Sequence, residues 1–196
     1  ARASASRERG SAFSAARSST RVVSKSSPAA SAAAEERLAA ADGGAKERTL
    51  VIVESPAKAT SVQKYLGQSY QVLASYGHVR DLVEKQGSVL PDDGFAMRWS
   101  LQGKSGVVKS IVESAERCGG GVVLATDPDR EGEAIAWHIS ELLKERGSRK
   151  KKDAPTAISR VTFTEVTRDA VVKAFKEPRE ISVELVHAYL ARRALD

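Results

Sequence analysis

The sequence predicts an α/β fold whose mainly parallel sheet is flanked by helices. Two apolar runs of strand length, Leu50–Val53 and Val122–Ala125, lack polar alternation, as strands buried on both faces do. Helix-patterned segments separate the candidate strands, and that alternation favours parallel pairing. Apolar residues make up 41% of the 196, enough for one core.

The elements follow in order from Thr49. Leu50–Val53 is the first strand; Ser55 then offers a helix cap and Pro56 suits the first helical position. That helix runs to Leu66 and stops at Gly67, and a second strand is expected at Tyr70–Ser75. Residues 85–105 carry no usable motif. Ser105–Cys118 reads as a helix with Val107, Val108, Ile111, Val112 and Ala115 on one face. Val122–Ala125 forms a third strand, and a helix from Glu131 to Glu145 carries Ile135, Ile139, Leu142 and Leu143 as its apolar stripe. Arg146–Asp153 is expected as a polar loop, with Lys150, Lys151 and Lys152 solvated or touching phosphate. Ile158–Phe163 is a fourth strand, Thr164 caps a helix over Glu165–Lys176, and a last helix starts near Ser182. Cys118 is expected as a buried small apolar residue and Trp137 as packing, with His138 unassigned.

The net charge of +6 is uneven. Residues 1–34 hold six basic residues and one acid, a net +5, whereas the remaining 162 hold 25 basic and 24 acidic, a net +1. That tail, with eleven Ala and ten Ser, cannot form a core. Arg-rich, Ser-rich and acid-poor composition is that of an organelle transit peptide, with a disordered basic arm as the alternative. Residues 35–48 resemble a linker. A single cysteine excludes a disulfide framework or cysteine-rich zinc site, and no apolar run is long enough to span a bilayer. Gly103-Lys104-Ser105 lacks the upstream glycine of a P-loop, the position being Arg98, so ATP binding is not expected.

Two strands end in acids, at Glu54 and Asp127, and ligands of open α/β sheets bind outside the carboxyl ends of strands. If these strands are neighbours, Glu54, Asp127, Asp129 and Glu131 meet at one edge. Four carboxylates there need a cation or a proton. An all-oxygen set without His or Cys suits Mg²⁺ better than zinc. Lys58, in the first turn after Glu54, is placed for a phosphate.

LVIVESPAKA (50–59), GHVRDL (77–82) and ATDPDREGEAIAWH (125–138) resemble the Toprim domain of type IA DNA topoisomerases, of the bacterial topoisomerase I type. ARRALD (191–196) is similar to the opening of that family's next, DNA-gripping domain. The resemblance covers residues 49–196, at four places in the right order. It implies a tail and linker over 1–48, a Rossmann-like Toprim domain over 49–166 and the start of a helical domain over 167–196. It also implies ATP-independent relaxation of negatively supercoiled DNA by a monomer: a tyrosine cuts one strand, another strand passes, and the break is resealed. Glu54 would handle the proton on the 3′-oxygen and also touch metal, with Asp127, Asp129 and Glu131 binding Mg²⁺. Lys58 would contact phosphate, and His78, Arg192, Arg193 and Asp196 would contact or organise single-stranded DNA. The residues alone are plainer: a turn histidine and a solvated arginine pair.

None of the four tyrosines, Tyr65, Tyr70, Tyr76 and Tyr189, matches the family's nucleophile. The chain starts at Ala1 and stops inside a helical pattern, so a fragment is expected. Two rivals remain: a Toprim nuclease or primase, which needs the acids but neither GHVRDL nor ARRALD, and a DNA-binding module without chemistry. The tail points to chloroplast or mitochondrion, and with the bacterial resemblance to a nucleoid there. Fused to a fluorescent reporter, residues 1–48 are expected to direct it to one of these organelles; diffuse cytosolic fluorescence would refute the targeting.

Overall fold

The computed structural model describes residues 48–85, 87–101, 103–149 and 157–196, without the side chains of 147–149. The tail and Lys150, Lys151 and Lys152 lie outside the described residues. Strands β1 (Thr49–Val53), β2 (Tyr70–Ala74), β7 (Val122–Leu124) and β8 (Ile158–Arg160) form one parallel sheet in the order β2-β1-β7-β8. Helices α1 (Pro56–Leu66), α2 (Ser105–Arg117), α3 (Arg130–Arg149) and α4 (Arg168–Lys176) flank it, and α5 (Val183–Leu195) follows. The α/β architecture expected from the sequence is the one observed.

The unbroken apolar runs are explained by two cores. Leu50 and Ile52 of β1 and Leu124 of β7 face Val108, Ile111 and Val112 of α2 and Ile135 and Ile139 of α3. Val51 and Val53, pointing the opposite way, pack with Val62 of α1 and Val171 and Phe175 of α4. All four β1 residues from Leu50 to Val53 are fully buried, each contributing roughly 1.5–3 kcal/mol. Helix α1 begins as its sequence dictates, with the Ser55 hydroxyl accepting the Lys58 N–H and Pro56 opening the helix.

Several boundaries differ from the sequence expectation. Helix α3 starts at Arg130 and continues to Arg149, into the expected polar loop. Gly147 costs the helix only about 1 kcal/mol, too little to end it. Thr167, not Thr164, caps α4: its hydroxyl accepts the Ala170 N–H, while Val166 is drawn into the core and its carbonyl takes the Tyr65 hydroxyl. The fourth strand ends at Arg160, where the chain turns to pair with Arg179. Within residues 81–100 lie two antiparallel ribbons, β3 (Asp81–Leu82) with β6 (Trp99–Ser100) and β4 (Val89–Leu90) with β5 (Ala96–Met97). They are too short to show as alternation in sequence.

Gly132 is required by a close approach. A Cβ there would lie 2.3 Å from the Asp127 carbonyl oxygen and 2.8 Å from its nitrogen, both backbone atoms that cannot swing aside. Gly132→Ala is therefore expected to destabilise the protein by about 2–4 kcal/mol, read as a fall in denaturation midpoint. A change below about 0.5 kcal/mol would show that the loop yields freely.

Candidate functional site

Strands β1 and β7 are neighbours, with Leu50, Val51 and Ile52 registered against Val122, Val123 and Leu124. The chain runs from β1 outwards to β2 on one side and to β7 and β8 on the other. The β1/β7 crevice is thus the topological switch point, where α/β sheets bind ligands. Glu54 follows β1 directly and Asp127 lies three residues past β7. Glu54 Oε1 accepts the Asp127 backbone N–H at 2.7 Å. Lys58 Nζ donates to Glu54 Oε1 at 3.2 Å and to Asp127 Oδ1 at 2.6 Å. The cation that two adjacent carboxylates demand is thus, in part, a lysine one helical turn away. Partial burial disfavours the Lys58 ammonium, but its bonds to Asp127 and Glu54 outweigh that and raise its pKa above the ordinary lysine range.

The other two acids are placed differently. Asp129 Oδ1 accepts the Gly132 N–H at 2.7 Å, capping the start of α3, and Glu131 is exposed in the first turn. Among the described residues, no three His, Cys, Asp or Glu side chains converge as a ready-made metal cage. The donors at the crevice are carboxylate oxygens alone. Mg²⁺ is usually held by one or two carboxylates plus water and phosphate oxygens, so Asp127 and Asp129 suit it chemically.

Sequence reasoning missed the network beneath this loop. Glu133 is fully buried and pairs with the buried Arg160 at 3.1 Å and with Arg179 at 2.8 Å. Its other oxygen, Oε1, accepts the Ser182 backbone N–H at 2.7 Å. The Arg160 guanidinium also donates to the carbonyls of Leu124 (3.0 Å), Thr126 (2.8 Å), Asp127 (2.8 Å) and Val161. It therefore grips the loop that carries Asp127 by its backbone. Burial alone would push the Glu133 carboxyl up; the Arg179 and Ser182 hydrogen bonds and the Arg160 charge outweigh it and hold the pKa below the ordinary range. The available signal was an arginine inside a segment that reads as a strand.

His78, Arg193 and Asp81 meet on the same side. Arg193 grips Asp81 through two bonds, at 2.7 and 2.9 Å, so the GHVRDL and ARRALD segments are joined. His78 stacks on Tyr189 of α5 with ring centroids 5.1 Å apart. Burial lowers the His78 pKa, and the charges of Glu131, Asp81 and Asp129 oppose that shift. Arg192 and Asp196 are exposed and 3.7 Å apart. The unassigned His138 is fully buried: Arg80 Nε donates to its Nδ1 at 2.6 Å, and Trp99 and Trp137 pack against it. Burial first, then the Arg80 charge, pushes its pKa down to about 3, so the imidazole is neutral. An unfolded chain takes this proton near pH 6.5, so His138 removes stability as pH falls below that value.

Arg160→Met would leave Glu133 buried with one guanidinium fewer and would take a side-chain donor from four carbonyls, of which Leu124 keeps the Val161 N–H. The expected loss is about 3–5 kcal/mol of folding stability, measured by denaturant titration. Adding Glu133→Gln to this variant is expected to recover part of the loss; a double variant as unstable as the sum of the two single ones would show that the pair is not coupled.

The Toprim domain family matches residues 49–166. DNA topoisomerase 1 of Zymomonas mobilis is 54% identical over 147 residues, covering 75% of this chain and 12% of that protein. DNA topoisomerase 1 of Rickettsia felis is 51% identical over 148 residues, covering 75% of the chain and 19% of the relative. The full-length topoisomerase I structure from Thermotoga maritima superposes with a TM-score of 0.62 at 37% identity, covering 74% of this chain and 23% of that one. The chain thus spans less than a quarter of the length of these relatives. With Glu54 and Asp127 side by side in the β1/β7 crevice and its two flanking motifs joined, the chain belongs to the Toprim family and is similar to part of bacterial DNA topoisomerase 1.

Proposed function

We propose that this chain supplies the Mg²⁺ site and part of the strand-gripping surface of an ATP-independent DNA topoisomerase. The whole enzyme, acting as a monomer, would relax negatively supercoiled DNA by transient single-strand cleavage, strand passage and rejoining. One observation carries this reading: Arg193 of ARRALD holds Asp81 of GHVRDL, in a chain whose β1 and β7 bring Glu54 and Asp127 together. A Toprim nuclease or primase has use for the acids but none for that junction.

Each side chain has a task on this reading. Lys58 keeps Glu54 and Asp127 together and meets the phosphate next to them. Glu54 Oε1 is committed to two donors, so Oε2 is the oxygen that exchanges a proton with the 3′-oxygen of the cut strand. Asp127 and Asp129, with Glu131 and Glu54 as further donors, would hold Mg²⁺. When bound, the ion supplies positive charge to the phosphate oxygens and helps to align the ends for rejoining. His78, Arg192, Arg193 and Asp196 line the path of a single strand and organise it. The Arg- and Ser-rich tail and the bacterial relatives support a nucleoid role in chloroplast or mitochondrion.

None of Tyr65, Tyr70, Tyr76 and Tyr189 matches the nucleophile, and the covalent step needs one. Residues 1–196 alone are therefore expected to leave supercoiled plasmid unrelaxed in Mg²⁺ while binding single-stranded DNA. Detectable relaxation would show that a tyrosine of this chain is the nucleophile. Calorimetric titration with Mg²⁺ in the presence of single-stranded DNA is expected to give heat that Asp127→Asn lowers; no heat at all would favour a module without chemistry.

A further inference from the structure

Tyr76, just past β2, combines two features for which the fold has no use. Its φ is +57°, in the left-handed region that a bulky side chain rarely adopts. The residue is 58% exposed, although Ser75 beside it is fully buried. Glycine would make this turn without strain.

Defined bonds hold the strained residue in place. The Ser75 N–H donates to the Val53 carbonyl at 2.8 Å, and the Gly77 N–H donates to the Glu54 carbonyl at 3.0 Å. The Ser75 hydroxyl closes the turn on the Gly77 carbonyl at 2.8 Å. From the other side, Lys104 Nζ donates to the Tyr76 carbonyl at 2.6 Å and stands 6.0 Å from the ring centroid. An aromatic ring and an ammonium are thereby anchored next to Glu54, two residues from His78. Strain maintained by so many contacts, with the ring left in water, marks a residue kept for a ligand.

We propose that Tyr76 is a stacking platform for an unpaired nucleobase of the strand that passes Glu54, and that Lys104 takes an adjacent phosphate. This inference rests on the DNA reading above and names a contact within it. Every base presents a π face, so the contact tolerates any sequence. An ammonium carries three donors, and the Tyr76 carbonyl uses one of them. The lysine-and-glycine pair that superficially resembles a P-loop thus acquires a different anionic partner.

The test uses the full 196-residue chain and a fluorescein-labelled single-stranded oligonucleotide, read by anisotropy. Tyr76→Gly removes the ring and relieves the backbone, so its Tm is expected to be no lower than that of the unchanged chain. Its affinity is nevertheless expected to fall about tenfold, while Tyr76→Phe stays within about twofold. On an oligonucleotide of the same length with an abasic segment, the unchanged chain is expected to bind no better than Tyr76→Gly. Equal affinity of Tyr76→Gly and the unchanged chain for the intact oligonucleotide would overturn the stacking and leave the DNA reading standing. Failure of the unchanged chain to bind either oligonucleotide would overturn both.

Discussion

The buried Glu133 carboxylate is the point on which the acidic edge depends. It is held between Arg160 and Arg179, and Arg160 in turn holds the carbonyls of Leu124, Thr126 and Asp127. A buried ion pair yields little net stability compared with apolar packing, but removing one partner is costly. Its value here is therefore geometric. It forces the stretch between β7 and α3 into one shape, which Gly132 permits by letting the helix backbone lie directly on Asp127. Asp127 reaches Glu54 only because that shape is maintained.

The same carboxylate couples the sheet to the last helix. Glu133 Oε1 takes the Ser182 N–H one residue before α5, and Arg179 lies three residues before Ser182, bridged to Arg160. At its far end α5 returns to the Toprim region through Arg193 and Asp81, and midway through Tyr189 and His78. The helix is pinned along its length to the edge that carries the acids. Its arginines and the acidic loop are therefore held in one frame.

Charge is arranged locally rather than in bulk. The net +6 of the chain, which suggests nucleic-acid affinity, resides almost wholly in residues 1–34. The remainder is nearly neutral because acids and bases are paired: Lys58 with Glu54 and Asp127, Arg160 and Arg179 with Glu133, Arg193 with Asp81. Partly exposed pairs such as Lys58–Asp127 are worth roughly 0–1 kcal/mol, so a phosphate or cation can rearrange them at small cost. The buried Glu133 group lacks that freedom.

Much was legible in the sequence because its causes are local. Apolar runs without alternation identified β1 and β7 as buried strands, Ser55-Pro56 marked the start of α1, and the acids at the strand ends marked the edge. Short-range rules failed where a distant partner decides. Thr164 and Thr167 are equivalent as caps until Val166 is drawn into the core, and a two-residue ribbon such as β3–β6 has no period to detect. Arg160, His138 and the position of Lys58 between two carboxylates acquire meaning only from residues 27 to 69 positions away. The sequence determined which segments are strands and helices and which acids end them, since propensity and periodicity act within a few residues. The tertiary structure alone decided that β1 and β7 are neighbours and that Arg160 clamps the acidic loop, because desolvated charges find their partners only when the chain has folded.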